Sequence, residues 1–334
     1  MSDALLVALF SIAGVVSLCF SWVLVTSIER VGARLGMTEG LLGMLAALVA
    51  DAPEIAAAVT ALARHNSRIG AGVVIGSNVF NLAALLGLAS IVAGRVALHR
   101  RVIEMAGAVA VWIAVLCLLV VVGALSPLAG LVAALALLGP YLAVLGLGLE
   151  RLARLRLPVS WRSWLCAAVR EEELELEVAL HPSRGGRRDV VIAAVAVLIV
   201  VCASVAMERT AATFGARHAV PEIVTGALLL AAVTSLPNAV AATYLAARGR
   251  GAAVLSTALN SNAINVLAGL LLPATLTGLG APSGPTTFVS ASYLGLTAFA
   301  LASAYVVSGL RRVPGALVIA AYLGFVAVLL VIAA

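Results

Sequence analysis

Two long stretches of this chain contain no charged side chain, and they restrict the folds that it can adopt. Residues 105–149 and 251–310 consist of apolar, small and uncharged polar residues. Each stretch is long enough for two helices of about 20 residues, the length that crosses the hydrocarbon of a bilayer. The chain is 63% hydrophobic and 11% charged, whereas soluble domains carry about 25% charged residues. The sequence therefore predicts an all-α integral membrane protein, because a β-barrel would show short alternating segments.

Charged residues, glycines and prolines divide the apolar runs into about ten predicted spans. Their approximate bounds are 4–26, 37–63, 69–94, 103–123, 126–149, 190–208, 220–246, 252–276, 287–309 and 314–333. Five spans precede the polar segment 150–189 and five follow it, so the second half enters the membrane from the opposite side. We expect two five-helix repeats of inverted topology, residues 1–149 and 190–334, joined by a connecting loop over 150–189.

The distribution of arginine predicts the orientation, because the chain has no lysine and 21 arginines. If Met1 lies outside, only Arg64, Arg68, Arg209 and Arg217 lie in outside segments, and the other 17 arginines lie inside. This asymmetry follows the positive-inside rule. We expect a protein of the cell membrane with both termini outside and the 150–189 loop in the cytoplasm. The net charge of +6 then reflects topology and contact with lipid head groups, and it does not imply a nucleic-acid partner.

The connecting loop has the composition of a surface helix. Trp161 and Trp164 precede an acidic run from Glu171 to Glu177. We expect this helix to lie against the membrane with its tryptophans at the interface. A regulatory cation site formed by the glutamates is the alternative.

A short pattern of small, polar and proline residues occurs twice, 184 residues apart and without a gap. The first copy covers residues 50–81, within the first motif region 37–94; the second covers 234–265, within the second region 220–276. Identical pairs include Pro53 and Pro237, Ser77 and Ser261, Asn78 and Asn262, and Asn81 and Asn265. Internal symmetry in which proline and polar residues interrupt apolar spans indicates a transport site near the bilayer midplane.

Asp51 and Glu54 are the acidic residues that the sequence places deep within a predicted span. An ionised side chain there costs roughly 2.5–3.5 kcal/mol on insertion scales, so two of them need partners. Their i, i+3 spacing puts both carboxylates on one helical face, and Pro53 between them frees backbone carbonyls. We expect the pair to bind a cation. A kinked helix with protonated or paired acids is the structural alternative.

The repeat adds neutral oxygen ligands to this pair. They are Asn81, Ser77, Asn238, Thr234, Ser235, Ser261 and Asn265. Such a set suits a hard cation such as Ca²⁺ or Na⁺, and no histidine or cysteine joins it. For each Ser and Asn, hydrogen bonding between packed helices remains the simpler alternative. Nothing in the sequence indicates a cofactor or an oligomeric state.

These motifs resemble those of the calcium:cation antiporter superfamily, of the sodium/calcium exchanger type. Members carry a GTSLPE-like motif followed by a GSNxFN-like motif in each of two repeats. Here Val49–Glu54 reads VADAPE and Val233–Asn238 reads VTSLPN, while Gly76–Asn81 reads GSNVFN and Asn260–Asn265 reads NSNAIN. The resemblance implies alternating access, in which the first and sixth spans slide across a central bundle. It also implies that the residues of both motifs, Glu54 above all, bind the transported ions.

The chain departs from the family pattern at two positions. Asn238 stands where the second motif usually has an acid, and Asp51 stands where the first usually has a serine. Both carboxylates therefore come from the first repeat, which leaves the identity of the ions open. We expect Ca²⁺ exchanged for Na⁺ or H⁺, with a proton able to replace one sodium ion. A cation channel and a divergent member that carries another ion or none remain alternatives, whereas an enzyme is not expected.

Overall fold

The computed structural model describes residues 1–35, 37, 45, 47–97, 99–154, 158–177, 185–247 and 251–334. These residues form helices α1 to α12 and strands β1 and β2. The first half contains α1 (Asp3–Arg34), α2 (Ala52–Ala63), α3 (Ser67–Ala93), β1 (Arg95–Ala97), α4 (Arg100–Val121), α5 (Pro127–Ala153) and α6 (Val159–Glu177). The second half contains α7 (Arg187–Arg217), α8 (Glu222–Thr234), α9 (Leu236–Ala247), α10 (Gly251–Ile264, continuing through Asn265–Leu271 to Thr277), α11 (Gly284–Val306), β2 (Gly309–Arg311) and α12 (Arg312–Ala333).

The prediction of a helical membrane protein is confirmed. Within the described part of the chain, 8 helices are long and apolar enough to cross a membrane, namely α1, α3, α4, α5, α7, α10, α11 and α12. The shorter apolar helices α2 and α8 fall within the second and seventh predicted spans. One feature was not predicted: β1 and β2 form a short antiparallel pair, with Val96 opposite Leu310.

Helices α1 and α7 form an antiparallel pair on the surface of the bundle. At one end Arg217 contacts Asp3 at 3.0 Å, and at the other Arg30 contacts Asp189 at 3.4 Å. With 32 and 31 residues, the helices are about 46–48 Å long, well beyond the roughly 30 Å of hydrocarbon. The predicted sixth span, 190–208, covers only part of α7, which continues through Arg209 to Arg217.

Helix α3 lies in the centre and packs closely on α8. A Cβ atom added at Gly76 would overlap the backbone of Ala227, and one added at Gly226 would overlap the carbonyl of Ile69. A Cβ atom added at Gly72 would meet the same backbone, only 2.9 Å from Ala227 N. The two helices therefore approach backbone to backbone, which only glycine allows at these positions.

The offset of 184 residues between the motifs extends to whole helices. It relates the first residues of α1 and α7, of α2 and α9, of α3 and α10, and of α4 and α11. Both α3 and α10 also contain a wide π-helical turn, at Leu82–Leu88 and Asn265–Leu271. Such turns are uncommon and occur often at functional sites.

The helix predicted in the connecting loop is present as α6, and the Trp161 side chain on it is exposed. Its contact with a membrane stays a prediction. The side chains of Glu171 to Glu177 lie outside the described part of the structure, as does the placement of residues 178–184, so the alternative cation site is not tested.

Candidate functional site

The first proline motif positions two carboxylates at the start of a short helix. Residues 47–50 are helical, and Asp51 is the residue that precedes α2. Pro53 lies in the first turn, where a missing N–H costs little. The Asp51 side chain makes no capping hydrogen bond to α2 and is available to other groups. The positive end of the helix dipole favours both carboxylates here.

The second motif repeats this backbone arrangement with neutral side chains. Helix α8 ends at Thr234 and α9 begins at Leu236, with Ser235 between them. The hydrogen bond from Ser235 N to Ala231 O, 3.1 Å long, matches the one from Asp51 N to Ala47 O, 3.0 Å. The two repeats therefore present Asp51 and Ser235 from the same kind of helix junction.

Each carboxylate accepts a hydrogen bond from the opposite repeat. Ser235 Oγ donates to Glu54 Oε1 at 3.0 Å, and Asn238 Nδ2 donates to Asp51 Oδ1 at 2.8 Å. The repeat offset converts one of these pairs into the other, because Asp51 matches Ser235 and Glu54 matches Asn238. Ser261 Oγ on α10 also donates to Asp51 Oδ1, at 2.6 Å.

Four asparagines join α3 to α10, the helix whose Ser261 donates to Asp51. Asn78 Nδ2 donates to Asn262 O at 3.0 Å, and Asn262 Nδ2 donates back to Asn78 O at 3.1 Å. Asn81 Nδ2 donates to Asn262 Oδ1 at 3.2 Å, and Asn265 Nδ2 donates to Asn78 Oδ1 at 3.3 Å. All four side chains are buried. This arrangement directs the amide nitrogens to protein acceptors and leaves two amide oxygens for other partners.

The oxygens without a donor are the most informative part of the site. Asp51 Oδ2, Glu54 Oε2, Asn81 Oδ1 and Asn265 Oδ1 are buried and accept no hydrogen bond. Buried carboxylate oxygens without a partner are strongly unfavourable. Coordination to a cation would satisfy oxygens of this kind and balance the charge of the carboxylates, and such ligands suit Ca²⁺ or Na⁺.

Every predicted site residue is buried, but the residues differ in their hydrogen-bond partners. Asp51, Glu54, Ser235, Asn238 and Ser261 form the direct hydrogen bonds described above. Ser77 Oγ donates to Val74 O at 2.9 Å, and Thr234 Oγ1 donates to Leu230 O at 3.0 Å. These two hydroxyls therefore donate to carbonyl groups of their own helices.

Sequence reasoning missed several buried polar residues. Asn78 and Asn262 were recognised as repeats but not as the residues that connect the two halves, although their identity in both motifs was the signal. Ser17, Ser21 and Ser204, on α1 and α7, are buried and their hydroxyls have no hydrogen-bond partner. No pattern in the sequence distinguished them from other serines in apolar spans.

Sequence reasoning also did not single out a third buried acid. Glu208, assigned to the end of a span, is fully buried in α7. Arg64, at the end of α2, lies 3.6 Å from its carboxylate. Helix α7 continues beyond the predicted span 190–208, so Glu208 does not lie at the end of the helix.

The fold is that of a helical membrane protein with a buried cluster of carboxylate, amide and hydroxyl groups. The model of the sodium/calcium exchanger protein family matches residues 5–148 and 189–331. The chain therefore belongs to the sodium/calcium exchanger family. This confirms the resemblance drawn from the two motifs. A search of the curated proteins finds no match.

Solved structures share the fold. The H⁺/Ca²⁺ exchanger CAX has a TM-score of 0.70 at 14% identity, with 98% of this chain and 86% of that chain covered. YfkE has a TM-score of 0.65 at 15% identity, covering 96% and 92%. The sodium-calcium exchanger NCX_Mj, soaked with 10 mM Na⁺ and zero Ca²⁺, has a TM-score of 0.57 at 19% identity, covering 98% and 99%. At these identities, the likeness establishes the fold alone.

Proposed function

We propose that this protein is a secondary antiporter that exchanges Ca²⁺ for Na⁺ or H⁺ by alternating access. The observation that carries the proposal is the group of four buried oxygens without donors, two of them on carboxylates. Two carboxylates provide the charge that balances one divalent ion. Serine and asparagine oxygens complete a hard ligand set of the kind that Ca²⁺ takes, at about 2.3–2.6 Å.

The ion ligands in this proposal are Asp51, Glu54, Ser77, Asn81, Thr234, Ser235, Asn238, Ser261 and Asn265. Glu54 has the central role, because its carboxylate accepts from Ser235 and still has one oxygen to offer. The family consists of transporters, which agrees with a binding site rather than a catalytic one. No cofactor is included in the proposal.

The counter-ion can be Na⁺ or H⁺, and the structural neighbours include exchangers of both kinds by their names. A proton bound at the Asp51–Glu54 pair would compete with a cation for the same oxygens. The alternative functions are a cation channel and a family member that moves another cation or none.

Two inverted five-helix halves, residues 1–149 and 190–334, would allow alternating access in this proposal. The equal 184-residue offset of helix starts and of hydrogen bonds supports this organisation. The site lies where the two halves meet and is closed to solvent, with Asp51 and Glu54 each 0% exposed. A closed site favours exchange over a permanently open pore. Both termini would lie outside the cell and the 150–189 loop in the cytoplasm.

The test is uptake of radioactive Ca²⁺ into proteoliposomes under an imposed Na⁺ or pH gradient. We expect one gradient to drive uptake and Glu54→Gln to abolish it, because the amide keeps the shape of the side chain and removes its charge. Glu222→Gln is the matched control, since Glu222 is an exposed acid at the start of α8 and should leave uptake unchanged.

Three other results would change the assignment. Uptake that needs no counter-ion gradient would indicate a channel. The absence of uptake under both gradients, with reconstitution verified, would remove Ca²⁺ as the substrate. Full uptake by Glu54→Gln would place the ion site elsewhere.

A further inference from the structure

Glu208 is a third buried carboxylate, and the ion site does not include it. Its side chain is 0% exposed, although it lies on α7, one of the two helices at the bundle surface. The Arg64 guanidinium lies 3.6 Å from Oε2, and the Arg64 side chain is 48% exposed. Both carboxylate oxygens of Glu208 are buried and accept no hydrogen bond. A carboxylate buried in this way depends on its partners, because an unpaired buried charge is strongly unfavourable.

The Arg64–Glu208 ion pair joins α7, at the surface of the bundle, to the end of α2. Helices α1 and α7 contact each other near both ends through the Asp3–Arg217 and Arg30–Asp189 ion pairs. The face that α7 turns inward is otherwise composed mainly of small or apolar side chains, including Ala196, Val200 and Ala203. Such surfaces can slide over one another, because they make no directional bonds. The Arg64–Glu208 ion pair, 3.6 Å long, is an electrostatic contact that favours the register in which the two charges are closest.

The same ion pair is connected to the cation site through a single short helix. Arg64 follows the last residue of α2, and Asp51 precedes the first. The 12 residues of this helix span about 18 Å. Because its partner Glu208 is nearer along α7 to Arg217 than to Arg187, Arg64 lies toward the end of α7 that contacts Met1 through Arg217. We call this side of the molecule the Met1 face.

We propose that the Arg64–Glu208 ion pair is a latch that holds the α1–α7 pair against the bundle and keeps the cation site closed to the Met1 face. This inference rests on the proposed alternating access and on the sliding of the first and sixth spans, here α1 and α7, that the family resemblance implies. A shift of one helical turn, about 5.4 Å, would separate Glu208 from Arg64. Opening toward the Met1 face must then break the ion pair, and the pair sets how often the site opens.

The experiment measures opening without requiring transport. In a background where Cys19, Cys117, Cys166 and Cys202 are replaced by serine or alanine, Ser204→Cys introduces a buried reporter one turn from Glu208. A membrane-impermeant maleimide is added at the Met1 face of the reconstituted protein, and the labelling rate is measured. Glu208→Gln and Arg64→Gln should each increase the rate about fivefold.

Two further variants separate the latch from a general loosening of the fold. The charge exchange Arg64→Glu with Glu208→Arg should return the labelling rate toward that of the parent protein. Asp3→Asn breaks an exposed pair within the α1–α7 unit and should leave the rate unchanged. Thermal unfolding of each variant in detergent reports whether the fold is intact.

The latch would be overturned if both glutamine variants label at the parent rate, or if the exchanged pair labels as fast as either single variant. Labelling that rises equally in Asp3→Asn would also reject it. If the parent protein fails to exchange Ca²⁺ in proteoliposomes, the proposed function fails, while the labelling result still decides whether the latch exists.

Discussion

At the scale of single residues, the central feature is that both carboxylates come from the first repeat, while the second repeat has neutral side chains at the equivalent positions. Asp51 and Ser235 occupy equivalent positions, as do Glu54 and Asn238. Asn238 Nδ2 donates to Asp51 Oδ1 at 2.8 Å, so the missing acid of the second repeat is compensated by a carboxylate that lies against the same position. The number of carboxylates in the cluster is thus two, although their distribution is unsymmetrical.

This geometry predicts that a carboxylate removed from the first repeat can be replaced by one introduced at the adjacent position of the second repeat. Asp51→Ser should lower the affinity for Ca²⁺ about tenfold or more, because it removes a charge and the acceptor of two hydrogen bonds. Adding Asn238→Glu should restore most of that affinity, since the cluster again holds two carboxylates. Calcium titration calorimetry of the purified protein measures both changes.

Thermal unfolding of the same variants controls for loss of structure. An affinity that is as low in the double variant as in Asp51→Ser would show that the position of the carboxylate, and not the number of charges, determines binding.

At the scale of helices, the backbone contact between α3 and α8 holds the site together. The GSN motif begins at Gly76, where the backbone of Ala227 occupies the space that a Cβ atom would need. Because Ser77, Asn78 and Asn81 follow on the same helix, displacement of α3 would move them all. The first glycine of the motif therefore has a packing role that differs from the ligand role of the residues after it.

We predict that Gly76→Ala destabilises the protein by about 1–3 kcal/mol, because an added methyl group forces the two backbones apart. Thermal unfolding in detergent should show a lower midpoint. Gly324→Ala in α12 is the control, because no atom lies within 4 Å of its added Cβ. Equal midpoints for Gly76→Ala and the parent protein would contradict the close approach of α3 and α8.

At the scale of the whole molecule, the distribution of arginine predicts that Met1 and the connecting segment lie on opposite sides of the membrane. In a background without the native cysteines, Ser2→Cys and Ser163→Cys introduce reporters near the N-terminus and on α6. In intact cells, an impermeant maleimide should label the first cysteine and not the second, which should react only after permeabilisation. Labelling of both, or of the second alone, would contradict the orientation.

Much of the helical architecture could be predicted because charged side chains are unfavourable in a bilayer. Membrane spans therefore stand out as uncharged stretches of the sequence. Uncharged runs located the spans that became α4, α5, α11 and α12, whereas the breaks before α2 and α9 fall inside the predicted spans 37–63 and 220–246. Helix lengths were predicted less well. The predicted spans for α1 and α7 end before the arginines near the helix ends. The helices themselves continue past these arginines, because they extend beyond the apolar segment.

The sequence by itself determined the membrane class, the family and the identity of the polar positions, because both motifs are continuous in the chain. Only the tertiary structure decided which of these groups meet. The contacts of Asp51 with Asn238 and Ser261, the exchange between Asn78 and Asn262, and the burial of Glu208 against Arg64 all join residues far apart in sequence. Hydrogen bonds and ion pairs depend on distances of a few ångström, and helix packing sets those distances.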